Sequence, residues 1–80
     1  MTLLELTETI VKSLVTDPDS VSSKVFEDED LITIEVMVPE NEAGSVIGKE
    51  GKIANAIRTV VQASSYLKDN KRVRININSF

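Results

Sequence analysis

The residues best suited to chemistry in this 80-residue chain lie in one run, Gly48-Lys49-Glu50-Gly51-Lys52. Glycine lacks a Cβ and tolerates positive φ, so a segment bounded by Gly48 and Gly51 can turn sharply and let another backbone approach closely. If a helix begins after Gly51, its first amides have no intrahelical partner, and together with the helix dipole they favour an anion. Lys49 and Lys52 add two cations at that point, and phosphate is the anion such a site suits. Glu50 places a carboxylate in the same loop, which weakens the expected affinity. A Walker loop is excluded, because it needs four residues between its glycines and a Ser or Thr after the Lys. Gly44 and Gly48 enclose three residues, and Glu50 follows Lys49.

Composition removes most other chemistry. There is no Cys and no His, so thiolate metal sites, disulfides, Cys nucleophiles and the commonest general base are all absent. No enzyme, no metal and no cofactor is expected. The four acids Glu27-Asp28-Glu29-Asp30 lack the spaced ligands and turn glycine of a calcium loop and read as a solvated turn. The amino terminus, Met1-Thr2-Leu3-Leu4-Glu5-Leu6, lacks the basic start of a signal peptide, and no apolar run approaches the roughly 20 residues that span a bilayer. A cytoplasmic location without membrane contact is expected.

The net charge of −4 conceals a division along the chain. Residues 1–46 carry eleven Asp and Glu against Lys12 and Lys24, a formal −9, whereas residues 47–80 carry seven Lys and Arg against Glu50 and Asp69, a formal +5. The segment holding the glycine pair is therefore the half that attracts phosphate.

The elements that must position this loop are legible from hydrophobic period. Leu3, Leu6, Ile10 and Leu14 recur at helical spacing, so residues 2–15 predict an amphipathic helix ended by Asp17-Pro18-Asp19. Residues 21–26 form a short candidate strand. Ile32, Ile34, Val36 and Val38 alternate with Thr33, Glu35 and Met37 in the clearest strand, which Pro39 terminates. A short helix is predicted over residues 41–47, with Asn41 as N-cap and Gly48 as C-cap. After Gly51 a longer helix runs to about Tyr66 or Lys68, its core face assigned to Ile53, Ile57, Val60, Ser64 and Leu67. A last strand alternates Val73, Ile75 and Ile77 with Arg72, Arg74, Asn76 and Asn78.

Residues 1–80 thus predict one α+β domain of order α-β-β-α-α-β, a three-stranded mixed sheet covered on one face by three helices. The first two strands suit an antiparallel hairpin, and the helix pair permits a parallel crossover to the third. The open face then shows Thr33, Glu35, Arg72, Arg74 and Asn76, with the two arginines solvated or forming a second surface. On the long helix Val61 and Ala54 widen the apolar arc beyond what a small sheet needs, and a two-fold dimer with Val60 and Val61 at its interface is expected from that excess.

Val46-Ile47-Gly48-Lys49-Glu50-Gly51-Lys52-Ile53 resembles the signature of the KH domain, a pair of aliphatics, then G-x-x-G, then a helix with an early aliphatic. The element order resembles the type II arrangement. The run from Gly48 to Val61, GKEGKIANAIRTVV, is similar to that of the small bacterial KhpA (YlqC-like) proteins, and the resemblance extends over essentially the whole chain. It implies a protein that clamps single-stranded RNA backbone with the Gly48-Lys49-Glu50-Gly51 loop while bases lie in an adjoining apolar groove. Lys49 is then the phosphate contact, Lys52 and Arg58 edge the groove, and Ile47 and Ile53 form its floor. It further implies RNA chaperoning or post-transcriptional regulation, self-association, pairing with a Jag-type (KhpB or EloR) KH protein, and in some bacteria a link to cell shape. The competing reading is an interaction module that keeps the fold for homodimerisation or that pairing, with little RNA binding.

Overall fold

The computed structural model describes residues 1–80, and each element begins or ends where local chemistry requires. Helix α1 spans Leu3–Leu14. It starts in a reciprocal capping box: the Glu5 amide donates to Thr2 Oγ1 at 3.1 Å and the Thr2 amide donates to Glu5 Oε1 at 2.9 Å. Pro18 opens a 3-10 turn over Pro18–Ser20, after which the chain enters β1, Ser22–Glu27. Strand β2 covers Leu31–Val38, helix α2 Glu40–Ile47, helix α3 Lys52–Lys68 and strand β3 Arg72–Ser79.

The sheet order is β1-β2-β3, with β1 antiparallel and β3 parallel to the central β2. Strand β2 alternates strictly between half-buried and buried residues. Its inward side chains Ile32, Ile34, Val36 and Val38 lie in the core with Val11, Val46, Ile57, Val61 and Ile75. Each such aliphatic, taken fully out of water, contributes about 1.5–3 kcal/mol. All three helices pack on this one face, which makes the architecture the α+β, type II KH arrangement the sequence predicts.

Two local expectations are corrected. Helix α2 starts at Glu40, so its N-cap position is Pro39 rather than Asn41, and no side chain caps it. The extended Pro39 leads the chain directly from β2 into the helix, and the β2–β3 pairing continues across this point. The Phe80 amide donates to the Val38 carbonyl at 3.0 Å, and the Glu40 amide donates to the Phe80 carbonyl at 2.8 Å. The core face of α3 is also rotated by about one residue from the expected arc. Ala54, Ile57, Val61 and Ser65 are buried, whereas Val60 is 50% exposed and Leu67 is 89% exposed. Small residues at positions 54 and 65 let α3 lie close to the sheet. Burial of Ser65 is tolerated because its hydroxyl donates to the Lys71 carbonyl at 2.8 Å. Val61, fully buried, is thus a core residue and cannot belong to an interface on the surface of the folded chain.

Candidate nucleic-acid interface

Between α2 and α3 the backbone makes a tight turn with three residues at positive φ: Gly48 at 77°, Glu50 at 58° and Gly51 at 74°. The two glycines serve different constraints. A Cβ on Gly48 would fall 2.7 Å from Ile53 Cγ1, so this position requires glycine for space as well as for dihedral freedom. Gly51 has open space around it and requires only the dihedral. Glu50 adopts left-handed geometry without a glycine's freedom, a strain of about 1 kcal/mol. Lys49 and Glu50 are both exposed, so the loop's side chains face water.

Electrostatics at the start of α3 contrast with those at the start of α1. Helix α1 has a side-chain cap and an acid in its first turn. Helix α3 has no side-chain cap and no acid in its first turn, and its first residue is Lys52. The positive end of its dipole is therefore uncompensated and reinforced by two lysines. The acidic turn after β1 does not oppose this. It sits at the other end of α3, about 25 Å away at 1.5 Å per residue, and Glu27 there is paired with Lys71, whose ammonium pKa it raises. Glu50 alone brings a carboxylate into the loop.

Beyond the loop, a polar row on α3 faces the outer edge of β3. Asn55, Arg58 and Gln62 follow at helical spacing. Arg58 Nη1 donates to Asn55 Oδ1 at 3.0 Å, and Arg58 Nε donates to the Ile75 carbonyl at 3.3 Å. Gln62 clasps the same edge, receiving the Val73 amide at 2.8 Å and donating to the Lys71 carbonyl at 2.9 Å. The α3–β3 seam opens as a shallow groove of about 460 Å³ whose lining includes Arg58, Thr59, Tyr66 and Val73.

The structure thus brings Gly48, Lys49, Glu50, Gly51 and Lys52 into one turn and sets Arg58 two helical turns further along. It does not bring Ile53 to that side. Ile53 lies under Gly48 and faces α1, about 140° around α3 from Arg58, in an apolar hollow shared with Ile10, Leu14, Ala56 and Val60. Ile47 is 38% exposed beside the turn. The apolar wall next to Arg58 is Val73 of β3. Asn55 and Gln62 are not among the site residues expected from sequence, and the one signal for them is a polar spacing of three and four residues along α3 opposite the apolar arc, whereas Val73 reads from sequence only as an apolar position of the last strand.

Behind the loop, Glu42 on α2 is largely buried and anchors the helix that delivers Gly48. Its Oε1 accepts the Thr16 amide and hydroxyl, and Oε2 accepts the Asp17 amide at 3.1 Å. The Thr16 amide above all, then the Asp17 amide and the Thr16 hydroxyl, hold its carboxyl below the usual glutamate range against the opposing effect of burial.

A sheet with one helical face, a glycine-bounded turn between two of its helices and a polar helix–strand seam beyond it define a KH domain of type II order. The chain belongs to the KhpA/KhpB KH-domain family, whose pattern matches residues 5–77. It is 48% identical over 73 residues to the RNA-binding protein KhpA of Clostridium acetobutylicum, covering 91% of this chain and 96% of that one. It is 47% identical over 73 residues to the KhpA of Caldanaerobacter subterraneus subsp. tengcongensis, with the same coverage. The KhpA of Borreliella burgdorferi is 43% identical over 74 residues, covering 92% and 89% of the two chains. Among solved structures, the fold is similar to part of Era in complex with MgGDPNP and nucleotides 1506–1542 of 16S ribosomal RNA, with a TM-score of 0.73 at 20% identity over 96% of this chain. A variant Era of Aquifex aeolicus bound to GDP.AlF4- gives 0.76 over 98% of this chain. The chain spans 29% and 30% of the length of those two Era chains.

Proposed function

We propose that this chain is a non-enzymatic single-stranded RNA-binding protein, acting in RNA chaperoning or post-transcriptional control, that grips the RNA backbone at Gly48-Lys49-Glu50-Gly51. The observation that carries this reading is the junction at Gly51: a positive-φ turn, carrying Lys49 beside Glu50, that opens onto a helix with no side-chain cap, no acid in its first turn and Lys52 as its first residue. The relatives' common name, RNA-binding protein KhpA, supports it. The groove along α3 gives bases a place beside the clamped backbone, edged by Lys52 and Arg58. Affinity is micromolar or weaker, since Glu50 opposes the phosphates and only about two to four phosphate contacts form. Titration of short single-stranded RNA across a salt series tests this, with an expected log–log slope of roughly −1.5 to −3. A slope near zero rejects the clamp.

A second reading, self-association, is favoured by the outward side of α3. Ile53, Ala56, Val60, Ala63 and Leu67 recur at alternating steps of three and four, the spacing of a helix–helix seam, and only Ile53 among them is even half-buried. A two-fold pairing of α3 helices centred on Val60 covers this stripe. The same stripe serves pairing with a KhpB-type (Jag or EloR) KH protein, in keeping with a family that embraces both KhpA and KhpB. Sedimentation of the isolated chain tests it, and a monomer at high micromolar concentration rejects the homodimer.

A further inference from the structure

The structure's two ion pairs occupy Lys12 with Glu8 and Lys71 with Glu27. Arg58, Arg72 and Arg74 have no carboxylate within ion-pairing distance, yet all three line one cleft of about 500 Å³ at the outer edge of β3. Arg58 reaches it from α3, held by the Ile75 carbonyl and Asn55. Arg72 and Arg74 reach it from β3, two residues apart on the open face, where they make no side-chain hydrogen bond to the protein. Asp30 is the one acid in the lining, which leaves a formal +2 around a concavity open to water. Unpaired guanidinium groups are suited to phosphate oxygens by their planar donor geometry. At about 3.3 Å per residue Arg72 and Arg74 stand roughly 6.6 Å apart, a step comparable to that between neighbouring phosphates of an extended strand.

The position of the cleft gives it a direction. Arg58 stands seven residues after Gly51, on the same face of α3 and about 10 Å along its axis. A strand held at the Gly48–Gly51 turn and laid along Asn55 and Arg58 arrives at the β3 edge. There the open face continues through the cross-strand row Arg74, Thr33 and Phe26, in which Phe26 is 58% exposed. An exposed aromatic beside cations is a stacking platform for a base.

We propose that the Arg58–Arg72–Arg74 cleft is a second phosphate-binding station, taking the backbone of the same single-stranded RNA where it leaves the α3 groove and turns over β3 towards Phe26. This rests on the RNA-binding reading above and adds to it a site on the opposite side of the edge strand, with a length requirement on the ligand. About four nucleotides span the glycine turn and the groove as far as Arg58, and a longer strand is needed to pass on to Arg72, Arg74 and Phe26.

The test compares single-stranded RNAs of four and ten nucleotides by fluorescence anisotropy, using the parent, the Arg72→Gln/Arg74→Gln variant, a loop variant with Lys49→Asp/Glu50→Asp, and Lys12→Gln/Lys68→Gln as a charge-matched control remote from the cleft. Tripolyphosphate, titrated into the labelled parent and followed by amide NMR, probes the cleft without RNA. The expected result is that the arginine variant binds the tetramer as the parent does but loses on the order of tenfold for the decamer, with a salt slope shallower by about 1.4, while tripolyphosphate shifts the amides of residues 72–75. The loop variant loses both RNAs. Equal decamer binding by the arginine variant overturns the station and leaves the loop reading intact. Equal loss in the control, or loss for the tetramer as well, overturns it in favour of a general charge effect. Tripolyphosphate shifts in the cleft with no RNA bound at either length overturn the RNA path and assign the cleft to free polyphosphate.

Discussion

Glu42 Oε1 accepts both the amide and the hydroxyl of Thr16, each at 2.9 Å, and so ties the start of α2 to the link between α1 and β1. The helix that ends at Gly48 is thereby fixed to a link 26 residues away in sequence. Replacement of Glu42 by Gln keeps the shape but loses charge assistance on three donors, and the thermal midpoint falls by several degrees at neutral pH. Because the folded carboxyl titrates below its unfolded value, this stabilisation is present above the unfolded pKa and is lost as pH falls through the folded one. Melting curves of parent and variant therefore draw together as pH falls below the ordinary glutamate range and converge below the lowered folded pKa, and a gap that persists once the carboxyl is neutral in both states contradicts the assignment.

The glycines of the turn separate by their surroundings. Gly51→Ala meets only the left-handed penalty and costs about 1 kcal/mol. Gly48→Ala meets the Ile53 side chain and a backbone, φ 77° with ψ 174°, that is open essentially to glycine alone, for a total of about 2–4 kcal/mol. Urea unfolding of the two variants gives the order directly, and truncation of Ile53 to Ala in the Gly48→Ala background relieves the steric part while leaving the dihedral part.

Lys49→Asp with Glu50→Asp leaves the fold unchanged, since both side chains are exposed, and removes RNA binding by setting two carboxylates against the phosphates. Glu50→Lys acts oppositely and strengthens binding, by roughly the contribution of one phosphate contact, with a salt slope steeper by about 0.7. Anisotropy at matched ionic strength, beside circular dichroism of each variant, checks both. Unaltered RNA affinity in the double variant places the site elsewhere.

Adjacent valines on α3 answer to different structures. Val61→Asp buries an unpaired carboxylate in the core and unfolds the domain. Val60→Asp places its charge in the outward stripe, leaves the monomer folded and abolishes self-association. Circular dichroism and sedimentation of the two proteins distinguish these outcomes, and a Val60→Asp protein that still dimerises removes α3 from the interface.

By itself the sequence determined the element order, the inward face of β2 and the glycine turn, because each depends on local properties. Alternation of Ile32, Ile34, Val36 and Val38 admits one strand face, and Gly48 and Gly51 mark backbone that side chains resist. Which side of α3 meets the sheet was not local. The helix carries two apolar stripes, Ala54-Ile57-Val61 and Ile53-Val60-Leu67, and residue size favours the second. Close approach to the sheet selected the first, because small residues at its ends admit it and the Ser65 hydroxyl finds the Lys71 carbonyl. The same holds for the arginines. Arg72 and Arg74 read as solvated residues of a strand, and their meeting with Arg58 arises only because β3 pairs parallel to β2 at the sheet edge and lies beneath α3. Tertiary structure decided that meeting, since it joins residues on two elements through a strand register that no local pattern encodes.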